Sequence, residues 1–156
     1  MISMTPESLL VFLKKNNYNA EIQEESKQIL TVLIFEEQEY PLFLKVFDDG
    51  HLLQLLVFIP CTLESHLVSD MARLLHLLNK ELDLPGFGMD EIAGAVFYRV
   101  MIPTAKKKLE QDILNAFLKT VEHVCKMFAT PIQAIAHGQL TFGDILKKAQ
   151  ETGVKL

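Results

Sequence analysis

The stretch Leu84–Pro103, LPGFGMDEIAGAVFYRVMIP, limits what this chain can fold into more than any other. It reads as a short extended piece over Gly86–Asp90, a turn around Gly94, and a long strand stopped by Pro103; its glycines read as turn residues. In a strand, successive side chains point to opposite faces. Val96, Tyr98, Val100 and Ile102 therefore share one face, and Ala95, Phe97, Arg99 and Met101 share the other. A sheet with one wet face alternates apolar and polar residues. Here only Arg99 breaks the apolar run, and it needs an acidic partner or an exposed face. Both faces want cover, within the subunit or from a partner. Leu52–Ile59 repeats the pattern, with Leu53, Leu55, Val57 and Ile59 opposite Leu52, Gln54, Leu56 and Phe58.

The flanking elements follow from periodicity and punctuation. Thr5-Pro6-Glu7 starts a helix, with Thr as cap, Pro pre-set at the first position and Glu suited to the positive dipole end. Leu9, Leu10, Phe12 and Leu13 give its apolar face, and Asn16-Asn17 end it. Ala20–Glu25 is a candidate polar edge strand. Ile29–Phe35 and Tyr40–Phe47 are strands around a turn at Glu36–Glu39, and Asp48-Asp49-Gly50 is the next hairpin turn. After Leu52–Ile59 and Pro60, Thr62 is read as the cap of an amphipathic helix over Leu63–Leu82, with His66 and His76 on its polar side. A third helix is expected from Thr104 to about Phe128. This order predicts an α+β fold with an antiparallel meander, αβββαββα, in a single domain over residues 1–156.

The core spans about residues 5–128, and a helical extension spans about 130–152. Thr130-Pro131 starts a short turn that Gly138 can end. Thr141 and Asp144 form a capping box with Asp in place of Glu, ahead of an apolar stripe at Phe142, Ile145, Leu146 and Ala149. The third helix carries more apolar surface than one sheet face needs. Leu109, Ile113, Ala116, Val124 and Met127 form one side, and Leu114, Leu118, Val121 and Cys125 extend it. Either the C-terminal helix covers the extra strip, or a subunit or client does.

Composition narrows the function more than it identifies it. The 156 residues are 49% hydrophobic and 22% charged, with a formal charge of −5, which argues against a general nucleic-acid binder. The N-terminus lacks the signature of a signal peptide, and no apolar run is long enough to span a membrane. Cys61 and Cys125 show no metal spacing and suit a reduced, cytoplasmic protein, with a single disulfide as the alternative. The five histidines form no ligand pattern, Gly86-Phe87-Gly88 lacks the context of a dinucleotide loop, and no nucleophile–base elbow is present. No catalytic residue, cofactor or metal site is expected. Lys106-Lys107-Lys108, read in the first turn of the third helix, oppose the dipole. They are either a solvated run or an anion-binding site where helix amides and ammonium groups converge.

The Gly86-Phe87…Asp90 segment, the Gly94-x-Val96-x-Tyr98-Arg99 strand and the apolar residues up to Pro103 resemble the YbjN family. That family's fold is similar to class I type III secretion chaperones, and the resemblance covers roughly residues 5–128. It implies a bacterial, non-enzymatic protein that binds a partner polypeptide or effector segment on apolar sheet surfaces, as a chaperone-like or adaptor homodimer. Combined with the surplus apolar surface, it makes Phe97, Arg99, Met101, Leu114 and Leu118 the candidate partner-binding residues. Lys106, Lys107 and Lys108 are the candidate anion-binding residues. The alternative is a small-molecule-sensing regulatory domain with Arg99 or Lys106 as anion anchor.

Overall fold

The computed structural model describes residues Met1–Gly153. Its strands are β1 (Ile2–Ser3), β2 (Ala20–Ile22), β3 (Ile29–Phe35), β4 (Gln38–Phe47), β5 (Leu52–Phe58), β6 (Phe87–Asp90), β7 (Ala95–Pro103) and β8 (Lys108–Leu109). Its helices are α1 (Pro6–Lys15), α2 (Val68–Glu81), α3 (Gln111–Ala136) and α4 (Phe142–Thr152). The main sheet runs β2-β3-β4-β5-β7-β6, and β1 pairs separately with β8. By compactness the chain divides into two units, Met1–Val57 with Arg99–His123, and Phe58–Tyr98 with the residues from Val124 on.

In the first unit the register sorts side chains cleanly. Ile29, Thr31 and Leu33 lie opposite Leu44, Leu42 and Tyr40, and Leu42 and Leu44 lie opposite Val57 and Leu55. All of these are buried. Leu9, Phe12 and Leu13 of α1 and Leu114, Leu118 and Val121 of α3 are buried with them. The Thr5 hydroxyl accepts the Ser8 amide at 3.2 Å, so the expected cap forms. The Tyr18 hydroxyl donates to the Glu122 carboxylate at 2.9 Å. Burial and that carboxylate push the Tyr18 pKa well above its ordinary value.

The second unit departs from the sequence reading at α2. Thr62 is not its cap: a 3-10 turn over Ser65–Leu67 precedes the helix, which begins at Val68. Leu63 is used otherwise. Its amide donates to the Gly94 carbonyl at 2.8 Å, and a Cβ on Gly94 would meet the Leu63 carbonyl oxygen at 2.6 Å. Gly94 also sits at φ +67°, so the turn needs glycine for both backbone and space. Gly88 serves a different end from the expected turn. It lies in β6 opposite Phe97, and a Cβ there would strike the Phe97 ring at 2.8 Å.

Helix α3 also corrects the reading. It starts at Gln111 rather than Thr104, and it runs unbroken through Pro131 to Ala136. Proline removes one helix hydrogen bond, but Ala129, Ile132, Ile135 and Ala136 are all buried, and that packing holds the last turns. Gln133 adds a hydrogen bond from its side chain to the Pro60 carbonyl at 3.0 Å. Gly138, at φ +68°, follows the end of this one long helix, whereas the sequence reads it as the stop of a separate short turn begun at Thr130-Pro131. The capping box of α4 is formed, with the Asp144 amide donating to the Thr141 hydroxyl at 3.1 Å and the Thr141 amide to the Asp144 carboxylate at 2.9 Å.

Candidate functional site

Strand β7 settles how its two apolar rows differ. Val96, Tyr98, Val100 and Ile102 are buried, whereas Phe97 is half-buried and Arg99 and Met101 are exposed. Arg99 thus takes the exposed-face alternative. Phe97 lies over Gly88 and meets the Phe58 ring edge-on at 6.3 Å between centroids.

The first unit has an outer row of its own. Leu30, Phe43 and Leu56 are mutually opposite on β3, β4 and β5 and are only half-buried. Val32 and Ile34 are 40% and 66% exposed, and Met101 is 41% exposed. Strand β2 pairs only with Ile29–Thr31, so among the described residues the segment Val32–Phe35 has no strand on that side. The outer face of this unit is therefore an apolar surface with an open strand segment at its margin. Lys45 beside Gln54 and Arg99 supply polarity.

Two expected binding residues lie elsewhere. Leu114 and Leu118 are fully buried, so they belong to the core and present nothing to a partner. The exposed apolar residues of that helix are Ile113, Ala116 and Met127, which the sequence places on one side of the apolar arc with Leu109 and Val124. The arc is wider than the surface it packs on, and Leu114, Leu118, Val121 and Cys125 hold the inward stripe. Helix α4 packs against α2, and its Phe142, Ile145 and Ala149 are buried. The Phe142 amide donates to Asp70 of α2 at 3.1 Å, and the Arg73 guanidinium stacks over the Phe142 ring at 4.3 Å.

The three lysines are not on a helix. Lys106 and Lys107, at φ +53° and +58°, form a two-residue turn closed by a bridge between Ala105 and Lys108. No helix amides converge on them as the sequence reading supposed. Lys107 instead pairs with Asp49, which holds that carboxyl below its ordinary range. Its side chain packs against Gly50, where a Cβ would stand 3.2 Å away.

The second unit is held by polar contacts that no motif announced. Asn79 of α2 accepts the amides of Gly86 and Phe87 at 3.1 and 2.9 Å and donates to the Phe87 carbonyl at 2.9 Å. Tyr98 donates to the Leu84 carbonyl at 2.6 Å, and burial, then proximity to Cys125, pushes its pKa up to about 12. Burial also raises the Cys61 thiol pKa, which disfavours the reactive thiolate. Among the described residues no cluster of His, Cys, Asp or Glu could hold a metal ion, and no helix is long and apolar enough to cross a membrane.

Sequence reasoning passed over Val32 and Ile34. Their signal was present in the alternation of ILTVLIF, but that run reads equally well as a strand buried on both faces.

These elements define a type III secretion chaperone-like α+β fold with a C-terminal helical extension. A family model described as "YbjN: Putative bacterial sensory transduction regulator" matches residues 5–134, and the chain belongs to that family. Its fold is similar to the crystal structure of YbjN from E. coli, at 10% identity and TM-score 0.65, covering 88% of this chain and 96% of that one. It is similar to a chain of the ExsC–ExsE complex, at 20% identity and TM-score 0.54, covering 82% and 92%. An uncharacterized protein from Methanothermobacter thermautotrophicus matches at 11% identity and TM-score 0.54, covering 83% and 97%. No curated protein matches the chain.

Proposed function

We propose that this protein is a non-enzymatic, chaperone-like or adaptor protein that binds an extended segment of a partner polypeptide on the outer face of its sheet. The observation that carries the reading is the exposed apolar row at Val32, Ile34 and Met101, continued by half-buried Leu30, Phe43 and Leu56. Exposed contiguous apolar surface on a folded chain marks an interaction site. The margin at Val32–Ile34, alongside which β2 does not extend, suits an added strand, in which main-chain hydrogen bonds give affinity and alternate side chains give specificity. Exposed Arg99, between Phe97 and Met101 on β7, favours a segment with one acidic residue among apolar ones. The ExsC–ExsE structure, which shares the fold, is itself a complex of two differently named proteins.

Ile34→Asp and Met101→Asp test the surface. Both side chains are substantially exposed, so circular dichroism is expected to stay native while a partner co-purified with the wild type is lost from both variants. Retention of the same partner by both would place binding elsewhere. A wild type that light scattering shows to be dimeric, with monomeric variants and no second polypeptide, would make the occupant another copy of this chain and overturn the assignment.

A further inference from the structure

The first unit holds a cavity of about 620 Å³ that the partner-binding reading does not use. Five lysines line it: Lys27, Lys45, Lys106, Lys107 and Lys108, against two carboxylates, Glu7 and Asp49. The formal charge of these lining groups is thus five minus two, or +3, on a chain whose total is −5. The concentration is a product of folding. Lys27 comes from the β2–β3 turn, Lys45 from β4, and the other three from the β7–β8 turn and β8. Lys107 is neutralised by Asp49, but among the described residues Lys27, Lys106 and Lys108 have no ion-pair partner. Lys45 rests over the Phe47 ring at 4.9 Å and has no carboxylate either.

Like charges gathered around one concavity repel each other and focus a positive potential. An anion of high charge density relieves that repulsion. Its chemistry can be narrowed. The cationic set contains lysine and no arginine; arginine's planar fork adds bidentate geometry to carboxylate and phosphate alike, whereas lysine acts as a point charge, so recognition here goes by charge density, which is high in an oligophosphate. The volume lies in the range of small-molecule sites. The positive end of α1, through Thr5 and Pro6, borders the same cavity and adds to the field.

We infer that this lysine-lined cavity is a binding site for an oligophosphate anion, either inorganic or carried by a nucleotide. The inference stands independently of the sheet-face reading, because none of the five lysines except Lys45 borders the apolar outer row.

Titration calorimetry of the full chain with inorganic pyrophosphate at low ionic strength tests it. Saturable binding that weakens as salt is added is expected. Lys27→Glu/Lys106→Glu should weaken it by about tenfold or more, since each reversal replaces attraction with repulsion. Lys14→Glu/Lys15→Glu, at the far end of α1, should leave it within about twofold when wild type and variant are compared at about 0.1 M salt, where charges beyond about 10 Å are screened. Lys45→Gln, which removes charge without reversing it, should give an intermediate loss. ADP binding tighter than pyrophosphate identifies a nucleotide as the source of the oligophosphate; equal affinity identifies the inorganic group. Absence of saturable binding by both ligands, unchanged affinity in the folded Lys27→Glu/Lys106→Glu variant, or stronger binding of a poly-glutamate peptide than of pyrophosphate would overturn the site.

Discussion

The inner and outer rows of the first unit's sheet are built from nearly the same residues and end in different states. Ile29, Leu33, Leu42, Leu44 and Leu55 are sealed, whereas Leu30, Val32, Ile34, Phe43 and Leu56 keep part of their surface in water. Apolar identity alone therefore does not decide burial. The side of each strand does, together with which helix stripe meets it. The difference separates residues that hold the fold from residues available for recognition. Arg99 marks the boundary, since its strand neighbours Tyr98 and Val100 are buried while it is exposed.

The largest expected contrast is between Leu55→Ala and Ile34→Ala. Leu55 is fully buried, so its truncation should cost about 2–5 kcal/mol through lost transfer energy and a residual cavity. Ile34→Ala should change stability by only about 0.5 kcal/mol. Urea unfolding of both variants measures this. A comparable loss at Ile34 would show that the outer face is covered in solution.

The next contrast sharpens the boundary within β7. Tyr98→Phe leaves the Leu84 carbonyl without its 2.6 Å donor and should cost about 1–3 kcal/mol. Arg99→Ala, one residue on, should cost about 0.5 kcal/mol or less. Equal losses would mean that Arg99 has a structural partner in solution.

The smallest effect is a pH dependence. The folded Tyr98 pKa is raised to about 12 from an ordinary value of 10.0. The unfolded phenol then ionises first, so Tyr98's contribution is complete below about pH 10 and is lost as pH rises toward 12. Tyr18 acts in the same direction. Chemical denaturation across this window should show stability falling with pH, with a shallower fall in Tyr98→Phe and an unchanged slope in Arg99→Ala. An unchanged slope in Tyr98→Phe would mean that the Tyr98 proton plays no part in alkaline unfolding.

Much of this fold was legible in the sequence because its signals are local. The Thr5-Pro6-Glu7 start, the Thr141–Asp144 box, the Gly138 stop and the β-type runs each depend on neighbours a few residues away. The family resemblance rested on the same kind of short-range pattern in Gly86–Pro103. The candidate site was legible only in part. Arg99 and Met101 followed from strand alternation, but the burial of Leu114 and Leu118 did not, because tertiary docking decides which part of a wide apolar arc faces inward. The start of α3 was hidden by Lys106–Leu109, which carries no breaker and reads as helix until β1 supplies a strand for β8 to pair with.

What the sequence determined by itself, then, is the set of elements, their caps and the alternation that gives each strand two apolar rows. The tertiary structure decided which row is sealed, why Pro131 is tolerated inside a helix, and that lysines from three separated segments border one cavity. The physical reason is range. Capping and periodicity act over one or two turns of chain, whereas burial and electrostatic focusing are set by residues distant in sequence that only the folded backbone brings together.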